Sequence, residues 1–172
     1  IARHHRQLFT VTVVGITGSR GKTTVKEWLN QLLQDDFNIV RSPRSYNSQI
    51  GVPLSVWGMD RDTQFAIFEA GISQVDEMPT LQSMIRPNLG IITNIGDEHN
   101  DGFSSRKNKC EEKIALFRDC DCIIYNGDDE LISDVVETAS VTVKEIAWST
   151  KYSDRSLFIS NIDKGNDSTT IE

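Results

Sequence analysis

The sequence predicts an α/β fold, with a mostly parallel sheet and helices on both faces. Apolar, β-branched segments alternate with helical segments from residue 9 to residue 149, an alternation typical of parallel sheets. The segment 9–16 is almost wholly apolar, as expected of a strand buried on both faces. At 172 residues, the chain is long enough for one domain and too short for two full ones.

The individual elements follow in chain order. After the first strand, Val25, Leu29 and Leu33 fall on one helical stripe with Trp28 and Leu32, which predicts an amphipathic helix. Further strands are predicted at residues 37–40, 65–68, 89–95, 122–125, 145–148, 156–162 and 168–171. Further helices are predicted at residues 48–56, 75–85, 105–117 and 129–139.

The two ends of the chain differ from the alternating core. Residues 1–6 read as the end of a helix, and the polar segment 163–167 is typical of a hairpin turn between two strands. We therefore predict an α/β core at residues 9–149 and a small antiparallel β appendage at residues 150–172. Both ends read as interrupted elements, so residues 1–172 are interpreted as one domain excised from a longer protein.

Composition and charge exclude several classes of protein. The formal net charge of −7 disfavours a nucleic-acid binder, because phosphate-backbone affinity comes from Lys and Arg. No apolar run approaches the roughly 20 residues of a membrane helix. Cys110, Cys120 and Cys122 indicate free thiols in a reducing compartment, and their spacing disfavours a zinc site. We therefore expect a cytoplasmic protein with no nucleic-acid and no membrane partner.

The strongest functional signal is the segment between the first strand and the first amphipathic helix. Residues 15–24 read Gly-Ile-Thr-Gly-Ser-Arg-Gly-Lys-Thr-Thr, which misses the strict phosphate-loop pattern at its first glycine. Gly18 and Gly21 nevertheless allow backbone N–H groups to turn toward a phosphate at the positive end of a helix. Lys22 can span the β- and γ-phosphates, and the Thr23 hydroxyl can bind Mg²⁺. The alternative is a glycine turn with a solvated lysine.

Three further residues gain significance from their positions. Glu69 directly follows the predicted strand 65–68, and His99 follows the predicted strand 89–95. Open α/β sheets bind ligands at the carboxyl ends of their strands, so Glu69 can face the Mg²⁺ of the loop and His99 can bind a metal. Lys113 lies within a predicted helix. For each of the three, a solvated surface position is the alternative.

Residues 15–27 closely resemble the ATP-binding loop of the Mur ligases, which build peptidoglycan precursors. The resemblance continues in the family's order through the segments 46–54, 68–71, 93–99, 113–117 and 126–129. The forms Thr-Gly-Ser-x-Gly-Lys-Thr-Thr-Val-Lys-Glu and Ile-Gly-Val-Pro look most like members that join D-alanyl-D-alanine to UDP-N-acetylmuramoyl-tripeptide. Some bacteria fuse such a ligase to an alanine racemase.

The resemblance implies the central ATP-binding domain of a three-domain ligase, with a P-loop NTPase-like fold. The missing flanking domains would bind the UDP-sugar peptide and the incoming dipeptide. Thr23 and Glu69 would hold one Mg²⁺, and His99 with a carbamylated Lys113 would hold a second. Together with Lys22, the residues Glu69, His99 and Lys113 are the implied catalytic groups. The implied ATP-binding residues are Thr17, Gly18, Ser19, Arg20, Gly21, Lys22, Thr23, Thr24, Asn47 and Asn126.

The reaction implied by the resemblance is ATP-driven amide formation. The tripeptide carboxylate attacks the γ-phosphate of ATP to give an acyl phosphate, and the amine of D-alanyl-D-alanine then displaces phosphate. Two departures from the family pattern, Ser48 and the pair Asp97 and Glu98 before His99, leave the detailed role of the Asn47 loop open. The 172-residue chain alone is expected to be inactive as a ligase.

Two alternatives remain beside this interpretation. A folylpolyglutamate synthase-like ligase domain shares the fold and the chemistry, but the sequence of the Asn47 loop disfavours it. A nucleotide-binding module without ligase activity is the other alternative. The presence of both His99 and Lys113 counts against that module, because a protein that only binds a nucleotide needs no second metal.

Overall fold

The computed structural model describes residues 1–97, 100–139 and 144–172. Its helices are α1 (Ala2–Gln7), α2 (Lys22–Leu33), α3 (Gly51–Trp57), α4 (Met78–Ile85), α5 (Arg106–Ile114) and α6 (Glu130–Thr138). Its strands are β1 (Thr12–Thr17), β2 (Ile39–Arg41), β3 (Phe65–Glu69), β4 (Leu89–Ile92), β5 (Cys122–Asn126), β6 (Lys144–Ser149), β7 (Leu157–Phe158), β8 (Ile162–Lys164) and β9 (Thr169–Ile171). None of the described helices is long and apolar enough to cross a membrane.

The strand β1 lies inside a seven-stranded parallel sheet, between β3 and β4. The strand order is β2-β3-β1-β4-β5-β6-β7, and each neighbouring pair is parallel. The register pairs Ile16 with Glu69 on β3, and Thr17 with Ile92 on β4. The residues that follow these three strands therefore emerge side by side at the carboxyl edge of the sheet, where α/β proteins bind ligands.

Helices cover both faces of the sheet, as the sequence predicts, but unequally. Residues of α2 pack over Val14, Ile16 and Ile67 on one face. Residues of α1, α3, α4, α5 and α6 belong to the larger core on the opposite face. There Gly90 lies beneath the ring of Phe117, which leaves no room for a Cβ. The predicted fold class is confirmed.

The predicted apolar stripe of α2 is only partly buried. Val25 and Leu29 pack against the sheet, whereas Trp28 and Leu32 are 63% and 75% exposed. Lys26 is fully buried in their place, because oxygen atoms of β3 and of the segment after β2 surround its ammonium. The predicted amphipathic helix is thus present, but only part of its apolar stripe faces the core.

The C-terminal segment contributes to two sheets. β7 extends the edge of the large sheet parallel to β6, while β8 and β9 form an antiparallel hairpin. The N–H of Gly165 donates to the carbonyl of Ser168 in its turn. The predicted antiparallel appendage is therefore present. The single strand predicted at 156–162 was wrong, because the open edge of β6 pairs with β7 and the chain then turns into the hairpin.

The helix predicted from residue 75 begins later, at Met78. The carboxylate of Glu77 accepts hydrogen bonds from the backbone N–H groups of Ser73 and Gln74, at 2.7 and 3.1 Å. These bonds hold the chain in a turn before the helix. The turn places Ser73 and Glu77 beside the glycine-rich loop that follows β1.

Candidate nucleotide and metal site

The glycine-rich loop lies directly beyond β1 at the carboxyl edge of the sheet. Gly18 has φ 136° and Gly21 has φ 82°, values that glycine adopts far more readily than other residues. α2 begins immediately afterwards, at Lys22, without a side-chain cap. The N–H groups in the first turn of a helix have no intrahelical acceptor and attract anions. The loop has the geometry of the phosphate-binding turn that the sequence predicts.

Thr93 and Asn94, which directly follow β4, support this loop through hydrogen bonds. The N–H of Ser19 donates to Asn94 O at 2.8 Å, and the N–H of Arg20 donates to Asn94 Oδ1 at 3.1 Å. Thr93 Oγ1 donates to Arg20 O at 2.6 Å. The strand predicted to reach residue 95 ends at Ile92, because the chain turns here toward the loop. The bracing role was not predicted; its only sequence signal is a Thr-Asn pair after a strand.

A cavity of about 400 Å³ opens beside the loop. The predicted site residues on its wall are Gly18, Ser19, Lys22, Asn47 and Lys113. Ser73, Glu77 and Lys109 also line it, and no sequence pattern pointed to these three. The cavity therefore brings together residues from the glycine-rich loop, the segment before α3, the loop after β3 and α5.

Three lysines give the cavity a cationic wall. Lys22 Nζ and Lys113 Nζ both donate to Gly18 O, at 2.8 and 3.3 Å. Lys109 Nζ donates to Gly96 O at 2.7 Å. Burial, followed by repulsion from Lys22 and Lys109, lowers the pKa of Lys113 to about 8. Such a wall attracts phosphate and carboxylate groups.

The oxygen atoms of Thr23 and Glu69 form a second feature. Glu69 is fully buried at the end of β3, and its Oε2 accepts a hydrogen bond from Thr23 Oγ1 at 3.1 Å. Adjacent oxygen ligands of an octahedral Mg²⁺ lie about 3 Å apart, so this pair fits one edge of such a site. Glu69 Oε1 forms an ion pair with Lys26 Nζ at 2.9 Å and accepts no other hydrogen bond within the part of the chain that the structure describes.

The described residues hold no cluster of three His, Cys, Asp or Glu side chains that could bind a metal. This is compatible with Mg²⁺ bound to a nucleotide. In such sites one or two protein ligands suffice, because phosphates and waters complete the coordination. The Thr23–Glu69 pair therefore fits a nucleotide-bound Mg²⁺ better than a metal held by protein alone.

The Asn47 loop forms another wall of the cavity. The N–H of Gly71 donates to Asn47 O at 2.8 Å, and a Cβ at Gly71 would lie 3.0 Å from Asn47 Oδ1. Gln49 Nε2 donates to Glu77 at 3.4 Å. The backbone hydrogen bond from Ser73 lowers the pKa of Glu77 and keeps it a carboxylate. Glu77 thus links the loop after β3 to the Asn47 loop.

Comparison with known proteins agrees with this geometry. Residues 16–172 match the family model described as the Mur ligase middle domain. The chain belongs to the Mur ligase family. The UDP-N-acetylmuramoyl-tripeptide–D-alanyl-D-alanine ligase of Bacillus subtilis is 30% identical over 145 residues, which are 83% of this chain and 32% of the relative. The chain thus spans 32% of the length of that curated relative.

Solved structures resemble this Mur ligase domain closely in fold. MurF from Acinetobacter baumannii has a TM-score of 0.88 at 23% identity, over 99% of this chain and 38% of that one. The MurF ligase from Thermotoga maritima, solved in complex with ADP, has a TM-score of 0.84 at 24% identity, over 99% of this chain and 39% of that one. At these identities the likeness establishes the fold.

Several predicted site residues of this Mur ligase domain lie off the cavity wall. Thr17 is fully buried, and its hydroxyl donates to Ala70 O at 2.9 Å, which ties β1 to the end of β3. Arg20 is exposed on the loop, and Thr24 is exposed in the first turn of α2. His99 lies outside the described residues. A direct contact of these four residues with a nucleotide or a metal stays a prediction.

Asn126 lies at the same edge of the sheet but two strands from β1. Its Oδ1 accepts a hydrogen bond from the N–H of Asp128 at 2.9 Å, which fixes the turn after β5. A hydrogen bond from Ser149 holds the pKa of Asp128 low, at about 2. The nucleotide contact expected of Asn126 stays a prediction.

We expect Gly18→Ala to weaken ADP binding about tenfold or more, because the left-handed φ strains alanine by about 1–3 kcal/mol. A Cβ there would also overlap Thr93 Oγ1 and displace the brace. Calorimetry measures the affinity. Gly21→Ala is the matched control, because its Cβ meets nothing within 4 Å and adds backbone strain alone. Equal losses in the two variants would contradict a role for the Thr93 contact.

Proposed function

We propose that this domain binds Mg·ATP and activates the carboxylate of UDP-N-acetylmuramoyl-tripeptide for amide formation with D-alanyl-D-alanine. One observation carries the proposal: the Thr23–Glu69 oxygen pair and the cationic wall of Lys22 and Lys113 converge on one sheet edge. The names of the curated relatives support the choice of substrates. The ADP-bound MurF neighbour from Thermotoga maritima supports the choice of nucleotide.

Thr23 and Glu69 would hold the first Mg²⁺ together with phosphate oxygens. The ion would neutralise charge on the triphosphate. Lys22 would leave the carbonyl oxygens of Gly18 and Ser19, which it contacts at 2.8 and 3.1 Å, and donate to the β- and γ-phosphates. Asn47 would orient the transferred phosphate from the opposite wall of the cavity.

Lys113 is proposed to act as a carbamate. CO₂ adds to a neutral amine, whose nitrogen then releases a proton to solvent, and the lowered pKa of Lys113 favours the neutral form. The product is a carboxylate-like group on a long stem, which gives the oxygen ligand that a second Mg²⁺ prefers. His99 is the proposed partner of this second site.

The chemistry requires two negatively charged groups to approach each other. The tripeptide carboxylate oxygen attacks the γ-phosphorus, ADP leaves, and an acyl phosphate forms. The amine of the dipeptide then attacks the carbonyl carbon, and inorganic phosphate leaves as the C–N bond forms and the nitrogen loses its proton. The cationic wall acts by offsetting charge and fixing geometry in both steps.

The setting of the reaction is also part of the proposal. Regions beyond this chain would bind the UDP-sugar peptide and the dipeptide, since residues 1–172 span 32% of the Bacillus subtilis relative. A cytoplasmic location suits Cys110, Cys120 and Cys122, which are unpaired in the described residues. We also propose that the protein binds neither nucleic acid nor a membrane.

ATP turnover by the full-length ligase tests the proposal. We expect phosphate release and amide product only with UDP-N-acetylmuramoyl-tripeptide and D-alanyl-D-alanine together. Stimulation by a folate substrate and glutamate instead would favour the folylpolyglutamate synthase-like alternative. Tight nucleotide binding without turnover on either substrate set would favour a binding module. Residues 1–172 alone should bind nucleotide and form no product.

A further inference from the structure

Lys26 has no part in the proposed reaction, yet it is fully buried beside the proposed metal site. It lies on α2 one turn after Thr23. Its ammonium donates to Ser42 O at 2.7 Å and also to Arg44 O. It lies 2.9 Å from Glu69 Oε1. A buried ammonium is costly unless acceptors surround it, so these contacts account for its burial.

Lys26 contacts two carboxylates, that of Glu27 at 3.2 Å on its own helix and that of Glu69 at 2.9 Å, and of these the buried Glu69 is the one that also contacts Thr23. Glu69 Oε1 faces the ammonium, while Oε2 faces Thr23 Oγ1 at 3.1 Å. The backbone of Glu69 is fixed as well, because its N–H donates to Ser42 Oγ at 3.1 Å. Lys26 and Ser42 thus hold both the position of Glu69 and the rotation of its carboxyl group. The oxygen that faces Thr23 is the one left for a metal.

The same ammonium holds a strained segment of the neighbouring loop. Arg44 has φ 49°, a left-handed value that is uncommon for a residue with a side chain. The next residue, Ser45, places its Oγ 3.5 Å from Thr23 Oγ1, and Asn47 follows on the cavity wall. Through Arg44 O, Lys26 therefore connects the Asn47 loop to the Thr23–Glu69 pair.

We propose that Lys26 is a positioning residue that turns Glu69 Oε2 toward the metal and holds the Asn47 loop against it. The inference rests on the proposed function, since it assumes that Thr23 and Glu69 bind Mg²⁺. Residues that orient a metal ligand typically change metal affinity 10–100-fold when replaced. An ammonium beside Mg²⁺ also repels it. Orientation and repulsion therefore predict opposite effects of removing the charge.

The test compares Lys26→Met with wild type in the full-length ligase, with Mn²⁺ as the spectroscopic probe and ADP present. We expect the Mn²⁺ concentration at half-saturation to rise about tenfold or more. ADP affinity without metal should change less than about threefold, because the first turn of α2 stays in place. An unchanged or lower half-saturation value would overturn the proposal. Lys26→Gln takes the place of Lys26→Met, with the same criteria, if the methionine variant fails to fold.

A double substitution separates positioning from general stability. In a Glu69→Gln background, Lys26→Met should leave the Mn²⁺ half-saturation within about twofold, because the carboxylate it orients is absent. If Lys26→Met raises the Mn²⁺ half-saturation value as much in the Glu69→Gln background as in wild type, the proposal is overturned. Asn30→Ala is the matched control, since Asn30 is buried one turn further along α2 and its side chain donates to Gln34 Oε1 of the segment that ends the same helix, at 3.0 Å.

Failure of this inference is distinguishable from failure of the proposed function. Wild-type binding of ADP that shows no dependence on Mn²⁺ would contradict the metal site itself. Metal-dependent binding in wild type with no change in Lys26→Met would contradict the role of Lys26 alone. A variant with lowered melting temperature and wild-type metal dependence would show that the lysine is only structural.

Discussion

Replacing Lys22 by alanine is expected to lower the affinity for Mg·ATP at least about 100-fold, because two charge-assisted hydrogen bonds contribute about 1.5–3 kcal/mol each. In the structure, Lys22 Nζ donates to two carbonyl oxygens of its own loop, those of Gly18 and Ser19. The side chain can exchange these oxygens for phosphates without disturbing the hydrophobic core. Calorimetry on residues 1–172 measures the affinity.

The control for this prediction is a lysine that faces solvent. Lys107 is exposed on α5, so Lys107→Ala removes the same charge without reaching the cavity. Its nucleotide affinity should stay near that of wild type. Circular dichroism should show that Lys22→Ala keeps its fold. Unchanged affinity in Lys22→Ala, with intact fold, would contradict phosphate binding by this loop.

Replacing Lys113 by alanine in the full-length ligase is expected to lower amide formation by about 10²–10³-fold, the loss typical of a removed charge-stabilising group. Lys113 is buried, and its Nζ lies 3.3 Å from Gly18 O, next to Lys22. Alanine leaves space where the stem and carbamate would lie. Added formate is a short carboxylate that can enter this space, and it should restore part of the activity.

The pKa of Lys113 sets the pH at which the modification forms. Burial, and then repulsion from Lys22 and Lys109, lowers the pKa from 10.5 to about 8. The neutral fraction therefore rises from about one tenth at pH 7 to about one half at pH 8, whereas an ordinary lysine stays charged. With labelled bicarbonate, a ¹³C carbamate signal should grow from pH 6 to pH 8 and be absent in Lys113→Ala.

Two results would contradict the carbamate. Full activity of Lys113→Ala would show that the side chain is not needed. Equal stimulation of wild type and Lys113→Ala by formate would show a general effect of the anion. Lys107→Ala again serves as the control, and formate should leave its activity unchanged.

The order of the elements and the phosphate loop follow from the sequence alone. The apolar run of β1, the glycines 18 and 21, and Lys22 with Thr23 all lie within residues 12–23, so the local sequence is enough to reveal them. The carboxyl-edge rule also predicted Glu69 beside this loop, and Glu69 lies next to Thr23 because β1 and β3 are parallel neighbours; its metal role stays a prediction. For Lys113, only the family resemblance lifted a helical lysine above a solvated surface residue.

The polar groups that support this loop can be identified only from the tertiary structure. Trp28 and Leu32 of the apolar stripe of α2 are exposed, whereas Lys26 is buried because Glu69, Ser42 and Arg44 contact it from other parts of the chain. Asn94 braces the loop and Lys109 lines the cavity through similarly distant contacts. The free energy of burying a polar group depends on the partners it meets there. Those partners lie far along the chain, so local pattern cannot show them.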